Sequence, residues 1–125
     1  FYSHVIHLVS KVTGKLKSYS KDIIGSTFPA GTLSGAPKHM AMKLIEKYEQ
    51  HNRSFYGGAI GFIDFENNFN HAILIRSFLS KNQNLFFQAG AGIVSKSNPD
   101  DELNEVYNKV GALLKALEKA EEIWK

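Results

Sequence analysis

Cysteine is absent from the 125 residues, which excludes a disulfide scaffold, a thiolate zinc site and a thiol nucleophile. That absence is compatible with a reducing compartment. Long apolar runs are missing too. The longest, residues 59–63 and 72–75, are far too short to cross a bilayer. No start Met and no charged-then-apolar leader is seen. The chain opens on Phe1 inside a strand-like run, so we expect a piece cut from a longer polypeptide. A basic tract is lacking as well: 15 Lys and Arg against 12 Asp and Glu leave a net charge of +3 with no clustering. Nucleic-acid binding therefore ranks last among the function classes. Repeats, low-complexity tracts and interdomain linkers are absent. What remains is 43% hydrophobic and 22% charged, ordinary for a soluble fold and too apolar for wholesale disorder. The length fits one domain without an internal boundary.

Residues 1–12 are rich in β-branched and aromatic side chains and predict a strand, ended by Gly14. Residues 18–26 predict a short helix around Ile23 and Ile24. Residues 27–36, dense in Gly, Pro, Ser and Thr, predict a structured loop. Pro37 suits the first position of a helix, and Ala41, Leu44, Ile45 and Tyr48 continue it at helical spacing until it fades near residues 50–52. Three strands are predicted next, over residues 57–65, 69–80 and 85–94, joined by short turns as an antiparallel meander. Asn98 is a good N-cap, Pro99 fits the first helical position, and Asp100, Asp101 and Glu102 complement the helix dipole. That last helix should run from Pro99 to about Ile123. Helices on one face of a mainly antiparallel sheet make an α+β architecture.

Several residue groups could carry chemistry. In the last helix, Leu103, Val106, Val110, Leu113, Leu114 and Leu117 make an apolar stripe. Beside it, Glu102, Glu105 and Lys109 fall within an arc of about 60°. Two carboxylates one turn apart can grip a hard divalent cation such as magnesium, and a Lys one turn on can hold an anion. Spacing alone favours a solvated face with a Glu105–Lys109 pair, because such faces are common. In QAGAGIV (residues 88–94), Gly90 and Gly92 permit close approach of a ligand to the backbone, or a bulge. There is no G-x-G-x-x-G, and GTLSGAPK (residues 31–38) lacks the phosphate-loop spacing, which removes dinucleotide and nucleoside triphosphate sites. Alternation places Arg76 with Leu74 and Phe78, so it either meets an anion or faces water. Tyr56 precedes a Gly pair and is either a core aromatic or a hydroxyl aimed into a cleft. His7, on the side of Val5 and Val9, is either a hydrogen-bonded core residue or a general acid or base.

The segments HVIHLVSKVTG, FPAGTLSGAPKHMAMKLIEKYE, FYGGAIGFIDF, AILIRS and QAGAGIVSKSNPDDELNEVYNK occur in that order. Together they resemble the C-terminal part of the chorismate-using enzymes: anthranilate synthase component I, aminodeoxychorismate synthase component I, and the isochorismate and salicylate synthases. The FPAGTLSGAPK wording is most similar to anthranilate synthase. The resemblance covers nearly the whole chain and implies a fold of antiparallel sheets with helices packed outside. It also implies a cytoplasmic, magnesium-dependent lyase of tryptophan biosynthesis. Such an enzyme converts chorismate and ammonia to anthranilate and pyruvate, with ammonia drawn from glutamine by a partner amidotransferase subunit. By the same resemblance, Glu102 and Glu105 supply carboxylates of the magnesium site, and Arg76 and Tyr56 hold the enolpyruvyl carboxylate. Gly90, Gly92 and Lys109 assist anion binding, Thr32 lines the pocket, and His7 assists at the reacting ring.

Family members are several times longer, and their upstream part carries a further Glu, a Gly-rich substrate loop and a Pro-x-Gly-Thr segment absent from these 125 residues. The isolated piece is therefore expected to be inactive and to self-associate through uncovered sheet edges. A sibling activity on chorismate and a non-catalytic module for small anions are the alternatives. Neither nucleic acid nor membrane is expected as a partner.

Overall fold

Eight elements follow one another in the computed structural model, which describes residues 10–17 and 19–124. They are α1 (Ser20–Thr27), α2 (Gly31–Ser34), α3 (Lys38–Tyr48), β1 (Ala59–Ile63), β2 (Phe69–Ile73), β3 (Leu79–Lys81), β4 (Asn84–Phe86) and α4 (Pro99–Ile123). Helices and antiparallel strands mix in one chain, so the α+β class holds. Residues 1–9, with most of the first expected strand and His7, lie outside the described residues. The end of that strand is corrected: residues 10–17 have no regular structure. No strand among the described residues pairs with them, and a strand without a ladder leaves its backbone to water.

The loop expected over residues 27–36 contains the single turn α2. The N–H groups of Leu33 and Ser34 both donate to Ala30 O, at 2.9 and 3.1 Å. Gly35 ends the turn at φ +98°, donating to Gly31 O at 2.7 Å. Helix α3 begins just after Pro37, whose carbonyl accepts from Ala41 N at 3.0 Å. Lys38 reaches back from α3, its Nζ donating to Thr27 O and Pro29 O at 2.9 and 2.8 Å. That ammonium ties α3 to the end of α1.

The expected meander divides into two separate antiparallel hairpins, β1–β2 and β3–β4. In the first, the register runs from Ala59↔Ile73 to Ile63↔Phe69. Its turn is closed by the Asp64 carboxylate, which accepts from the N–H groups of Glu66 and Asn68, both at 2.9 Å. Asn68 Nδ2 adds a third bond at 3.0 Å. The bond from Asn68 leads these in holding the Asp64 carboxyl below its ordinary pKa. In the second hairpin Asn82 and Gln83 take φ of 52° and 60°, the left-handed pair of a two-residue turn that matches strand twist.

Two strand expectations are corrected. The strand expected over residues 69–80 breaks after Ile73. Leu74 still exchanges bonds with the Gly57–Gly58 backbone (2.8 Å each), but Ile75 N then turns back to Ile73 O at 3.2 Å. Arg76 follows in the left-handed region at φ +51°. The strand expected over residues 85–94 is regular only to Phe86. The Ala- and Gly-rich stretch beyond it has no bulky side chains to pack on a pleated surface, and its Gly90 carbonyl bonds to Lys109 of α4.

Helix α4 begins where the sequence signals place it. The Asn98 side chain accepts from the N–H groups of Asp100 and Asp101 at 2.9 and 3.4 Å, capping two orphan donors. Of the apolar stripe, Leu113 is buried, Val106, Val110 and Leu117 are half-buried, and Leu103 and Leu114 are exposed. All of β1 is exposed, Phe62 at 67%. The expected helical cover over one sheet face is thus not found on this hairpin among the described residues.

Candidate active site

Five separate stretches of chain converge on one cavity of about 210 Å³. Helix α2 brings Thr32, the turn after α3 brings Arg53 and Tyr56, and the break after β2 brings Ile75 and Arg76. The irregular stretch after β4 brings Gly90 and Gly92, and α4 brings Lys109. Each is positioned by a local feature already described. Tyr56 lies in a tight turn in which its N–H donates to Arg53 O at 2.8 Å and Gly58 N donates to Phe55 O at 3.0 Å. Gly57 continues that turn at φ +76°, where an added Cβ would lie 3.6 Å from Leu33 Cδ1. The Tyr56 hydroxyl sits 3.4 Å from where a Cβ on Gly90 would project. A Cβ at residue 90 would thus rest in van der Waals contact with the phenol.

Six of the nine residues expected at a site therefore meet: Thr32, Tyr56, Arg76, Gly90, Gly92 and Lys109. Two do not line the cavity: Glu102 and Glu105 sit two turns and one turn before Lys109 on α4. The ninth, His7, lies outside the described residues. The charges around the cavity are of one sign. Arg53, Arg76 and Lys109 line it and no carboxylate does. Lys109 Nζ donates to Gly90 O at 2.8 Å and to Glu105 Oε1 at 2.5 Å. The Lys109–Glu105 pair is the i,i+4 contact allowed by the helical spacing, with the lysine also fastening the Gly stretch to α4. Arg76 is exposed and has no ion pair within the described residues, which leaves its full charge for a ligand.

Glu102 is half-buried, and Ser97 Oγ donates to its Oε1 at 2.5 Å. The same Oγ accepts from Val94 N at 3.0 Å. One hydroxyl thus clamps the Glu102 carboxylate to the end of the Gly stretch. No group of three or more His, Cys, Asp or Glu is gathered for a metal among the described residues. Glu102 and Glu105 are nonetheless hard oxygen donors of the type magnesium takes, since that ion commonly uses one or two carboxylates plus substrate oxygen and water. The donor chemistry fits, with a free oxygen on each carboxylate beyond its Ser97 or Lys109 contact.

Sequence reasoning missed Arg53. Its Nε lies 2.9 Å from Glu49 Oε2 and its Nη2 lies 2.5 Å from Glu49 Oε1. The side-chain hydrogen bonds hold the Glu49 carboxyl below its ordinary value of 4.5 against the opposing effect of burial. They raise the Arg53 guanidinium in turn. The Glu49–Arg53 spacing of four was a visible signal, yet it crosses the end of α3 and says nothing of a cavity. The pH consequence has a definite sign. A carboxyl depressed on folding contributes stability that is fully present above its ordinary 4.5 and is lost as pH falls through the depressed value. The melting temperature of Glu49→Gln should therefore lie lower than wild type at neutral pH and approach it as pH falls through the depressed value.

Gly92 gives a second expectation. An added Cβ there meets nothing within 4 Å, while the residue lines the cavity. Gly92→Val should leave stability within about 0.5 kcal/mol of wild type and weaken a ligand about tenfold by filling its space. Thermal melts and calorimetry on the same samples check both halves.

No helix among the described residues is long and apolar enough to cross a membrane. The chorismate binding enzyme family model matches residues 1–115. The chain is 49% identical over 123 residues to anthranilate synthase component 1 of Aquifex aeolicus, covering 97% of this chain and 25% of that protein. It is 50% identical over 125 residues to the protein of the same name from Bacillus pumilus, covering 98% and 24%. With the Mycobacterium tuberculosis protein of that name the identity is 51% over 122 residues, covering 96% and 24%. The chain thus spans about a quarter of the length of the curated relatives it matches.

Proposed function

The chain belongs to the chorismate binding enzyme family, and from that premise we propose that residues 1–125 form the C-terminal part of the catalytic domain of an anthranilate synthase component I. The proposed reaction takes chorismate and ammonia to anthranilate and pyruvate in the cytoplasm, within tryptophan biosynthesis. A glutamine amidotransferase subunit is the proposed ammonia source. The observation that supports this most is the convergence of Arg76, Tyr56, Thr32, Gly90, Gly92 and Lys109 on a cavity with cations and no lining carboxylate.

Chorismate is a dianion, and the groups present suit one. The Arg76 guanidinium, uncommitted among the described residues, offers a planar fork to the enolpyruvyl carboxylate. Tyr56 offers a hydroxyl to the same group. The backbone N–H groups at Gly90 and Gly92 are approachable because no Cβ covers them, and Lys109 adds positive charge beside them. Thr32 contributes a further hydroxyl to the lining, and His7 is assigned to proton handling at the ring. Glu102 and Glu105 are the residues assigned to hold magnesium, which when bound supplies charge neutralisation for the ring carboxylate. Fixed donors and charges of this kind stabilise negative charge as it develops on departing groups.

The test is product identification. The polypeptide that carries this segment, given chorismate, ammonia and magnesium, is expected to release anthranilate and pyruvate. Aminodeoxychorismate as product would move the assignment to the sibling enzyme, and failure to consume chorismate would end it. The isolated 125 residues are expected to give no turnover. Their exposed apolar side chains, Phe62, Ile63 and Phe65 among them, favour self-association, which sedimentation velocity across a concentration series checks.

A further inference from the structure

We propose that Arg53 is a positioning residue of this site, holding Tyr56 and the Thr32-bearing turn α2 in register; the proposal rests on the chorismate reading above. The side chain joins three pieces of chain. Its Nε and Nη2 grip the carboxylate of Glu49, the residue that ends α3. Its Nη1 donates to Leu33 O at 2.6 Å. That carbonyl belongs to the last turn of α2, where helical carbonyls have no partner of their own. Its guanidinium carbon lies 5.7 Å from the centre of the Tyr56 ring, within cation–π range. The Arg53 carbonyl meanwhile accepts the Tyr56 N–H. Thr32 and Tyr56 come from elements separated by the whole of α3, and Arg53 is the polar link between them.

Arg53 differs from Arg76 in what its charge is spent on. The Glu49 carboxylate neutralises it through three contacts between 2.5 and 3.2 Å. Arg76 has no such partner among the described residues. A guanidinium already satisfied by a carboxylate gains little from a second anion, whereas its rigid fork fixes whatever else it touches. Arg53 therefore acts on a ligand through Tyr56 and α2 rather than by touching it. Lysine at this position would keep the charge and lose the fork.

The experiment is a double-mutant cycle on chorismate affinity, read by calorimetry in the polypeptide that carries this segment, with magnesium present. Tyr56→Phe and Arg53→Lys are each expected to weaken chorismate about tenfold, and the double variant is expected to be no weaker than Arg53→Lys alone, because the Tyr56 hydroxyl is already out of register once Arg53 no longer holds it. A hundredfold loss in the double variant would make the two residues independent and overturn the proposal, as would wild-type affinity in Arg53→Lys. Should Arg53→Lys fail to fold, Glu49→Gln serves, since it keeps a neutral acceptor. A loss of about threefold that vanishes in the Tyr56→Phe background supports positioning, and no change in either background overturns it. Chorismate binding by wild type with unmoved variants removes the proposal alone. Absence of binding by wild type removes the proposed anthranilate synthase function and this proposal with it.

Discussion

Arg76→Gly is expected to raise stability by about 1 kcal/mol and to lower chorismate affinity by about a hundredfold. The two effects have separate causes. Arg76 is held at φ +51°, and a residue with a Cβ in the left-handed region carries a cost of about 1–2 kcal/mol that glycine does not. The side chain is exposed and makes no ion pair among the described residues, so removing it sacrifices no contact that stabilises the fold. A forked charge-assisted pair with a carboxylate contributes about 1.5–3 kcal/mol, and its loss is one to two orders of magnitude in affinity. Arg76→Ala separates the terms: it should lose the same affinity and gain no stability, because alanine keeps the backbone cost. Denaturant melts and calorimetry on the three proteins decide it. Equal stability of the Gly and Ala variants would show that the left-handed backbone costs nothing here. Unchanged affinity would take the guanidinium out of the site.

The same residue shows where sequence reading stopped. Alternation through residues 72–78 described a strand, because every side chain there suits one, and nothing local marks residue 76 as left-handed. The break follows longer-range pairing: Leu74 completes its bonds with Gly57 and Gly58, and beyond it the chain has no strand to pair with among the described residues. Residues 87–94 were misread for a related reason, since Gly90 gives its carbonyl to a lysine nineteen positions away. By contrast, the start of α4 was fully legible. Its cap, its first-position Pro and its acidic first turn are contacts within four residues. The turn of the second hairpin was legible in position for the same reason. For the site itself, motif order named six residues that the cavity unites, while local pattern left five of them open and gave no sign of Thr32. Arg53 escaped because its partners are Glu49, Leu33 and Tyr56, a combination visible only once α2 and the turn after α3 are side by side.

Glu102→Gln is expected to abolish the magnesium dependence of chorismate binding, with the affinity for the ion falling more than a hundredfold as a charged oxygen donor is replaced by a neutral one. Ser97→Ala should weaken the ion about tenfold, the usual scale for losing a hydrogen-bond partner of a ligating carboxylate. The geometry behind this is the bond from Ser97 Oγ to Glu102 Oε1, with the hydroxyl itself fixed by Val94 N. One carboxylate oxygen is thereby committed and the other stays open for the proposed magnesium, for which the carboxylate would be held without a search among rotamers. Ser97→Thr keeps a hydroxyl and should retain wild-type affinity. The readout is chorismate calorimetry repeated across a magnesium series, with circular dichroism confirming that α4 remains intact in each variant. Glu102 also lies in the first turn of α4, where a negative charge favours the helix dipole by about 0.3–1 kcal/mol. A purely structural role would therefore show as a lower melting temperature in Glu102→Gln and an unaltered response to magnesium. An altered response with an unaltered melt assigns the carboxylate to the ion, and Ser97 to holding it there.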